Sequence, residues 1–225
     1  MRRSSRCLIC DRAAKPDGPL CAACEASFQG IDGTLCPRCS RRVGACRCAQ
    51  SSLYFSRCVV LSYYEGAAKQ FVLELKGRGH DRAADLLAFY LARHLQRQAQ
   101  YRDIDLVLWV PKFLGDYLKN GINASQMLAL RTAKQLGLPC KGRVLVKKRK
   151  TRKQTRLTYA QREENLRDAF AVLRPGEVKH KRILLVDDVI TTGSTMSECA
   201  RTLYFAGAKE VLGAAVCATK IRARG

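Results

Sequence analysis

The run Ile183-Leu184-Leu185-Val186-Asp187-Asp188-Val189-Ile190-Thr191-Thr192-Gly193-Ser194-Thr195 constrains this chain more than any other segment. Four apolar residues predict a strand buried in a sheet, and two carboxylates follow where that strand emerges at its carboxyl end. Open α/β sheets bind ligands at that edge. A short hydroxyl-rich turn with one glycine then opens a helix, whose first backbone N–H groups and Thr and Ser hydroxyls can cradle a phosphate. Gly193 removes the side chain that would block close approach. Asp187 and Asp188 suit two neighbouring ribose hydroxyls, because a carboxylate accepts strong hydrogen bonds. Any one of these elements also fits an acidic turn capped at a helix N-terminus; the whole run does not. It predicts a ribose-phosphate site built from Asp187, Asp188, Thr191, Thr192, Gly193, Ser194 and Thr195.

The rest of the chain alternates in the same way. Ser56 to Tyr64, Ile104 to Pro111, Ala169 to Leu173, Arg182 to Asp188 and Glu210 to Thr219 read as strands. Arg82 to Leu95, with Ala83, Leu87, Leu91 and Leu95 at helical spacing, reads as an amphipathic helix. Ser125 to Leu136 reads as another, stopped by Gly137 and Pro139. Tyr159 to Arg167 is a short helix, and Ser194 to Ala206 a longer one. Strands alternating with helices imply an α/β fold with a mostly parallel sheet flanked by helices. No apolar stretch is long enough to span a membrane, and no signal peptide is read after Met1-Arg2-Arg3, so a cytoplasmic location is expected.

Eight of the 12 cysteines lie in the first 48 residues. In a cytoplasmic chain, close cysteine pairs point to metal rather than disulfides. Cys7-x₂-Cys10 with Cys21-x₂-Cys24 is one four-thiolate set, and Cys36-x₂-Cys39 with Cys46-x-Cys48 is a second. Each suits one tetrahedral Zn²⁺ in a closed structural site whose folding depends on the ion. Two sequential ribbons or an interleaved cross-brace both satisfy this spacing. No ordinary hydrophobic core is visible in the segment. The division expected is a double zinc-ribbon domain over residues 1–52 and an α/β domain over residues 53–225. Cys58, Cys140, Cys199 and Cys217 are read as thiols with no special role.

Lys and Arg number 41 against 19 Asp and Glu, a formal charge of +22. Such a surface attracts polyanions, from nucleic acids to phosphate-bearing small molecules. Nine of the sixteen residues from Lys141 to Arg156 are basic, and the stretch lacks the apolar content of a buried element. Three readings stand for it: a solvated loop, a lid whose cations stabilise a diphosphate, or a DNA contact.

The run 183–195 resembles the signature of type I phosphoribosyltransferases. In that family the acidic pair holds the ribose hydroxyls of phosphoribosyl diphosphate (PRPP), the Thr-Thr-Gly-Ser-Thr turn holds its 5′-phosphate, and Mg²⁺ accompanies the diphosphate. The whole chain is similar to the ComF family of competence proteins, which join such a domain to N-terminal cysteine motifs. The pieces that agree in order are the cysteine head, Leu75-Lys76-Gly77-Arg78-Gly79, Val110-Pro111, Gly121-Ile122-Asn123, then Thr151, Gln154, Leu157, Arg162, Asn165 and Ala169-Phe170, and last the run 183–195. The chain departs from the family at Trp109-Val110-Pro111, where Pro-Val-Pro is common. It departs again at Asn120-Gly121-Ile122-Asn123-Ala124, where Arg-Gly-Phe-Asn-Gln is common. No phosphate contact is carried over from that loop.

The resemblance implies a role in natural transformation, with single-stranded DNA and a competence helicase as partners. Candidate diphosphate or lid contacts are Lys76, Lys112, Lys150, Arg152 and Lys153. Candidate DNA contacts are Lys147, Lys148, Arg149 and Arg156. Two alternatives stand beside this one: an active phosphoribosyltransferase acting on an acceptor the sequence does not name, and a non-catalytic PRPP-sensing regulator or adaptor.

Overall fold

The structure is a computed structural model and describes residues 6–7, 11–16, 18–26, 31, 33–46, 48, 53–77, 80–115, 123–151 and 159–220. The elements in chain order are α1 (Ala22–Ala26), β1 (Arg57–Tyr63), α2 (Gly66–Lys76), α3 (His80–Gln96), β2 (Leu106–Trp109), α4 (Ala124–Leu136), β3 (Leu145–Lys147), α5 (Tyr159–Leu166), β4 (Phe170–Val172), β5 (Arg182–Ile190), α6 (Ser194–Phe205) and β6 (Glu210–Ala218). Strands β1, β6, β5 and β2 form a four-stranded sheet in that order, with every pairing parallel. Strands β3 and β4 pair antiparallel as a separate ribbon.

Alternation along the strands divides the core between the two faces of the sheet. Val107, Leu184, Val186, Leu212 and Ala214 pack on one face with Leu75 of α2, Leu87 and Leu91 of α3, and Leu128 of α4. Leu106, Leu108, Ile183, Leu185 and Val211 pack on the other with Met196, Cys199 and Leu203 of α6 and with Phe170 of β4. Because helices cover both faces, Ile183 to Val186 form a continuous buried run rather than an alternating one.

The predicted strands and helices are all present, and the structure adds three things. Helix α2 is not among the elements expected from sequence, although its buried residues Ala68, Phe71, Val72 and Leu75 keep helical spacing. Strand β5 runs past both aspartates to Ile190, with Asp187 opposite Ala215 and Val189 opposite Cys217 of β6. The basic stretch from Lys141 is not devoid of buried structure: Val144 and Leu145 are buried, and Leu145–Lys147 is strand β3. Two apolar residues suffice there because the ribbon is only three residues long on each side.

The cysteine head also contributes to the core, contrary to the reading that it lacks one. Cys7, Leu20 and Cys21 are buried in the same cluster as α3, and Glu25 accepts a 3.1 Å hydrogen bond from the Tyr90 hydroxyl of that helix. The second half of the head meets the opposite part of the fold. Cys58 of the edge strand β1 donates its N–H to the Arg38 carbonyl at 2.8 Å, and Ser40 Oγ donates to the Cys58 carbonyl at 2.6 Å. Among the described residues no helix is long and apolar enough to cross a membrane.

Candidate functional site

Asp187 and Asp188 lie at the carboxyl end of the central strand β5, and the two carboxylates have different surroundings. Asp187 is buried, and its Oδ1 accepts from Ser125 Oγ at 2.8 Å and from the Asp188 N–H at 2.9 Å. Burial, with the Asp188 charge beside it, holds its pKa well above the usual carboxylate range. Asp188 is half-buried, and Lys76 Nζ at the end of α2 lies 2.6 Å from its Oδ2. Burial opposes ionisation of Asp188, but the Lys76 ammonium outweighs it and the pKa falls. The same contact raises the Lys76 pKa against the burial that lowers it. The arrangement is one carboxyl that resists ionisation beside one held ionised.

The turn that follows is built to open a helix. Gly193 is the N-cap of α6 at φ +87°, a left-handed conformation that L side chains rarely adopt, and it offers no side-chain cap. The Thr192 and Ser194 hydroxyls lie 2.8 Å apart, and the Ser194 N–H reaches Thr192 Oγ1 only at 3.4 Å. Helix N–H donors and hydroxyls thus converge one turn beyond the carboxylates, at an end of the dipole that favours an anion. Phe55 lies directly under the turn, 3.5 Å from where a Cβ on Gly193 would sit.

A family model described as the phosphoribosyl transferase domain matches residues 123–224, which include this whole run. The chain is 30% identical over 209 residues to the DNA utilization protein YhgH of Salmonella typhi, covering 89% of this chain and 90% of the relative. It is 23% identical over 213 residues to competence protein F of Haemophilus influenzae (85% and 93% covered). It is 25% identical over 224 residues to competence protein ComFC of Streptococcus pneumoniae (92% and 96% covered). The chain belongs to the ComF family. Its α/β domain has the type I phosphoribosyltransferase-like layout of a parallel sheet flanked by helices.

In this ComF-family chain the cysteines gather into the two sequential sets. The Sγ atoms of Cys36, Cys39, Cys46 and Cys48 all lie within 4.8 Å of one another, as do those of Cys7, Cys21 and Cys24. Cys10 lies outside the described residues. In the second set, Cys39 and Cys46 sulfurs are 3.7 Å apart and those of Cys36 and Cys48 3.9 Å apart. Zn–S bonds of about 2.3 Å in a tetrahedron place sulfurs roughly 3.8 Å apart, so the donor set fits such an ion. Burial opposes ionisation of Cys36, but backbone N–H groups of Cys39 and Arg38 bring its thiol down to about 7, whereas burial pushes the Cys39 and Cys48 thiols up. Each cluster could hold a metal ion.

The basic residues disperse. Lys147 in β3 is half-buried, donates to Thr151 Oγ1 at 2.7 Å and sits 5.8 Å above the Phe170 ring. Arg149 donates to the carbonyls of Asn165 at 3.1 Å and Arg167 at 2.6 Å, tying the end of α5 to the ribbon. Lys112, Lys148 and Lys150 are exposed. A bridge between Phe113 and Lys147 sets the start of the basic run beside the loop leaving β2. Arg152, Lys153 and Arg156 lie outside the described residues.

Sequence reasoning missed Ser125, Phe55 and Arg41 as neighbours of the site. Ser125 falls within the predicted helix, and nothing in its local pattern marks it as the partner of a carboxylate 62 residues away.

Proposed function

We propose that the crevice at the carboxyl end of β5 binds PRPP, and that this ComF-family protein acts in DNA uptake through single-stranded DNA. The observation that carries the reading is the pair of unlike carboxylates immediately before the glycine-opened helix. Asp188, held ionised, accepts one ribose hydroxyl; Asp187 accepts the other as it loses its proton. The turn Thr191–Thr195 and the first N–H groups of α6 take the 5′-phosphate. Lys76, beside Asp188, offers its remaining charge to the diphosphate, with Lys112, Lys150, Arg152 and Lys153 as further cations. Mg²⁺ supplies charge neutralisation on the diphosphate and needs few protein ligands.

The DNA part rests on the curated relatives' names and on the +22 charge. Lys147, Lys148, Arg149 and Arg156 are the proposed contacts, Lys147 and Arg149 using their charge while holding the bonds described. Zn²⁺ is the proposed ion in both cysteine clusters of a head spanning 1–52, ahead of the ligand-binding domain at 53–225. A cytoplasmic site of action and a competence helicase partner belong to the same reading. A second reading, turnover of PRPP onto an acceptor, is favoured by the match of the phosphoribosyl transferase model to residues 123–224.

The test is calorimetric titration of the zinc-loaded chain with PRPP and Mg²⁺, beside titration with a single-stranded oligonucleotide at rising salt. The reading expects one PRPP per chain and DNA affinity that falls steeply with salt. No PRPP binding sinks the crevice assignment; DNA binding that is absent or indifferent to salt sinks the direct DNA role. Diphosphate release from PRPP in the presence of an acceptor decides for turnover.

A further inference from the structure

Arg41 is buried, at 3% exposure, and lies between the second cysteine cluster and the ribose-phosphate turn. Its guanidinium donates a hydrogen bond to the carbonyl of Thr191, 150 residues away. Its Nε is buried with no hydrogen-bond partner, and among the described residues it makes no ion pair with a carboxylate. A buried cation without a carboxylate is costly, so its place beneath an anion-binding turn requires a reason.

The backbone of Arg41 is held by the cysteine cluster itself. Cys36 N–H donates to the Arg41 carbonyl at 2.7 Å, and Ser40 N–H donates to the Cys36 carbonyl at 2.9 Å. A metal joining Cys36 and Cys39 would lock this turn and so fix where the Arg41 side chain begins. The neighbouring contacts converge on the same place. Arg38 donates to the Leu53 carbonyl, the Tyr54 N–H donates to Ser197 Oγ in the first turn of α6 at 3.1 Å, and Phe55 underlies Gly193.

We propose that Arg41 is a positioning residue through which metal at Cys36, Cys39, Cys46 and Cys48 holds the turn 191–195 in its phosphate-binding shape. Metal occupancy of that cluster and ligand affinity are then linked, and the linkage is reciprocal. The buried guanidinium also places positive charge behind the turn, where it attracts the phosphate in a medium of reduced dielectric. The proposal rests on the reading of 191–195 as a phosphate cradle, but its structural half does not.

The experiment uses the full zinc-loaded chain and Arg41→Ala, Arg41→Lys, Cys46→Ser and Cys24→Ser. Three quantities are measured: zinc content, PRPP affinity by calorimetry, and amide hydrogen exchange of the peptide covering 189–197. Arg41→Ala is expected to keep two zinc ions, lose at least tenfold in PRPP affinity, and exchange faster over 189–197. Arg41→Lys is expected to recover part of both. Cys46→Ser, emptying the second cluster, is expected to speed the same peptide, whereas Cys24→Ser is not. Saturating PRPP is expected to slow zinc release from one of the two sites.

Arg41→Ala with wild-type affinity and exchange overturns the proposal, as does a loop indifferent to Cys46→Ser. If Arg41→Ala does not fold, Arg41→Lys and Cys46→Ser decide by the same readings. If the wild type binds no PRPP, the reading of the crevice fails while exchange over 189–197 still decides whether the metal-held arginine supports the turn.

Discussion

Lys76 Nζ lies 2.6 Å from Asp188 Oδ2, joining the end of α2 to the end of β5. Burial disfavours both charges, and their mutual attraction prevails. Lys76→Met leaves Asp188 without its cation, so the Asp188 pKa rises and PRPP affinity falls by roughly tenfold, about 1.4 kcal/mol. Solvent screening at the partly exposed lysine keeps the stability cost smaller than the binding cost. Asp188 has a lowered folded pKa, so its contribution to stability is present above its unfolded pKa and lost as pH falls through the folded one. Thermal unfolding of the variant against pH should show a gap from wild type at neutral pH that closes in acid.

Asp187 carries the opposite sign. Its folded pKa is raised, so its stabilising contribution is complete below the unfolded pKa and lost as pH rises through the folded one. Asp187→Asn keeps an oxygen for Ser125 and removes the ionisation. The variant should melt above wild type by roughly 2–4 °C, about 1 kcal/mol, with the difference growing toward higher pH. Binding should show the linkage from the other side. If a ribose hydroxyl bonds Asp187 as proposed, it would stabilise the ionised carboxylate, so PRPP binding should release protons, seen as calorimetric heats that depend on buffer ionisation. Asp187→Asn should lose that component together with affinity.

Gly193→Ala places a Cβ in a left-handed conformation and 3.5 Å from Phe55. The backbone strain costs on the order of 1–2 kcal/mol. PRPP affinity should drop by roughly tenfold or more, and DNA affinity should stay at the wild-type value, which paired titrations measure. Gly213→Ala tests packing behind the site rather than the site. Its Cβ would lie 2.3 Å from Met196 Sδ and 3.1 Å from both Cys58 Cβ and Sγ, so a loss of about 2 kcal/mol or more of stability is expected in denaturant unfolding.

Elemental analysis should find two zinc ions per chain. Cys36→Ser and Cys21→Ser should each lower the content to one, since the clusters are sequential and do not share ligands. Loss of both ions from either variant would contradict separate sites.

Much of the site was legible because its signals are local. A buried strand, two acids, a hydroxyl-rich turn and a glycine at a helix start follow one another in thirteen residues, and their order alone implies the crevice. The helical spacing of Ala68, Phe71, Val72 and Leu75 also marks α2, although that helix is not among the expected elements. What sequence could not convey is which distant groups complete the pair. Ser125 is an ordinary residue of an amphipathic helix until the fold sets it against Asp187. Arg41 looks like one more charge in a basic head until it is buried under Thr191. The extension of β5 to Ile190 has the same origin, because Val189 and Ile190 stay in the sheet by pairing with β6 across the whole length of that strand.

The most direct test of the central claim compares PRPP and single-stranded DNA binding by wild type and Asp187→Ala/Asp188→Ala, both zinc-loaded. The account predicts that the double variant loses PRPP binding and keeps DNA binding. Undiminished PRPP affinity in the double variant would contradict it.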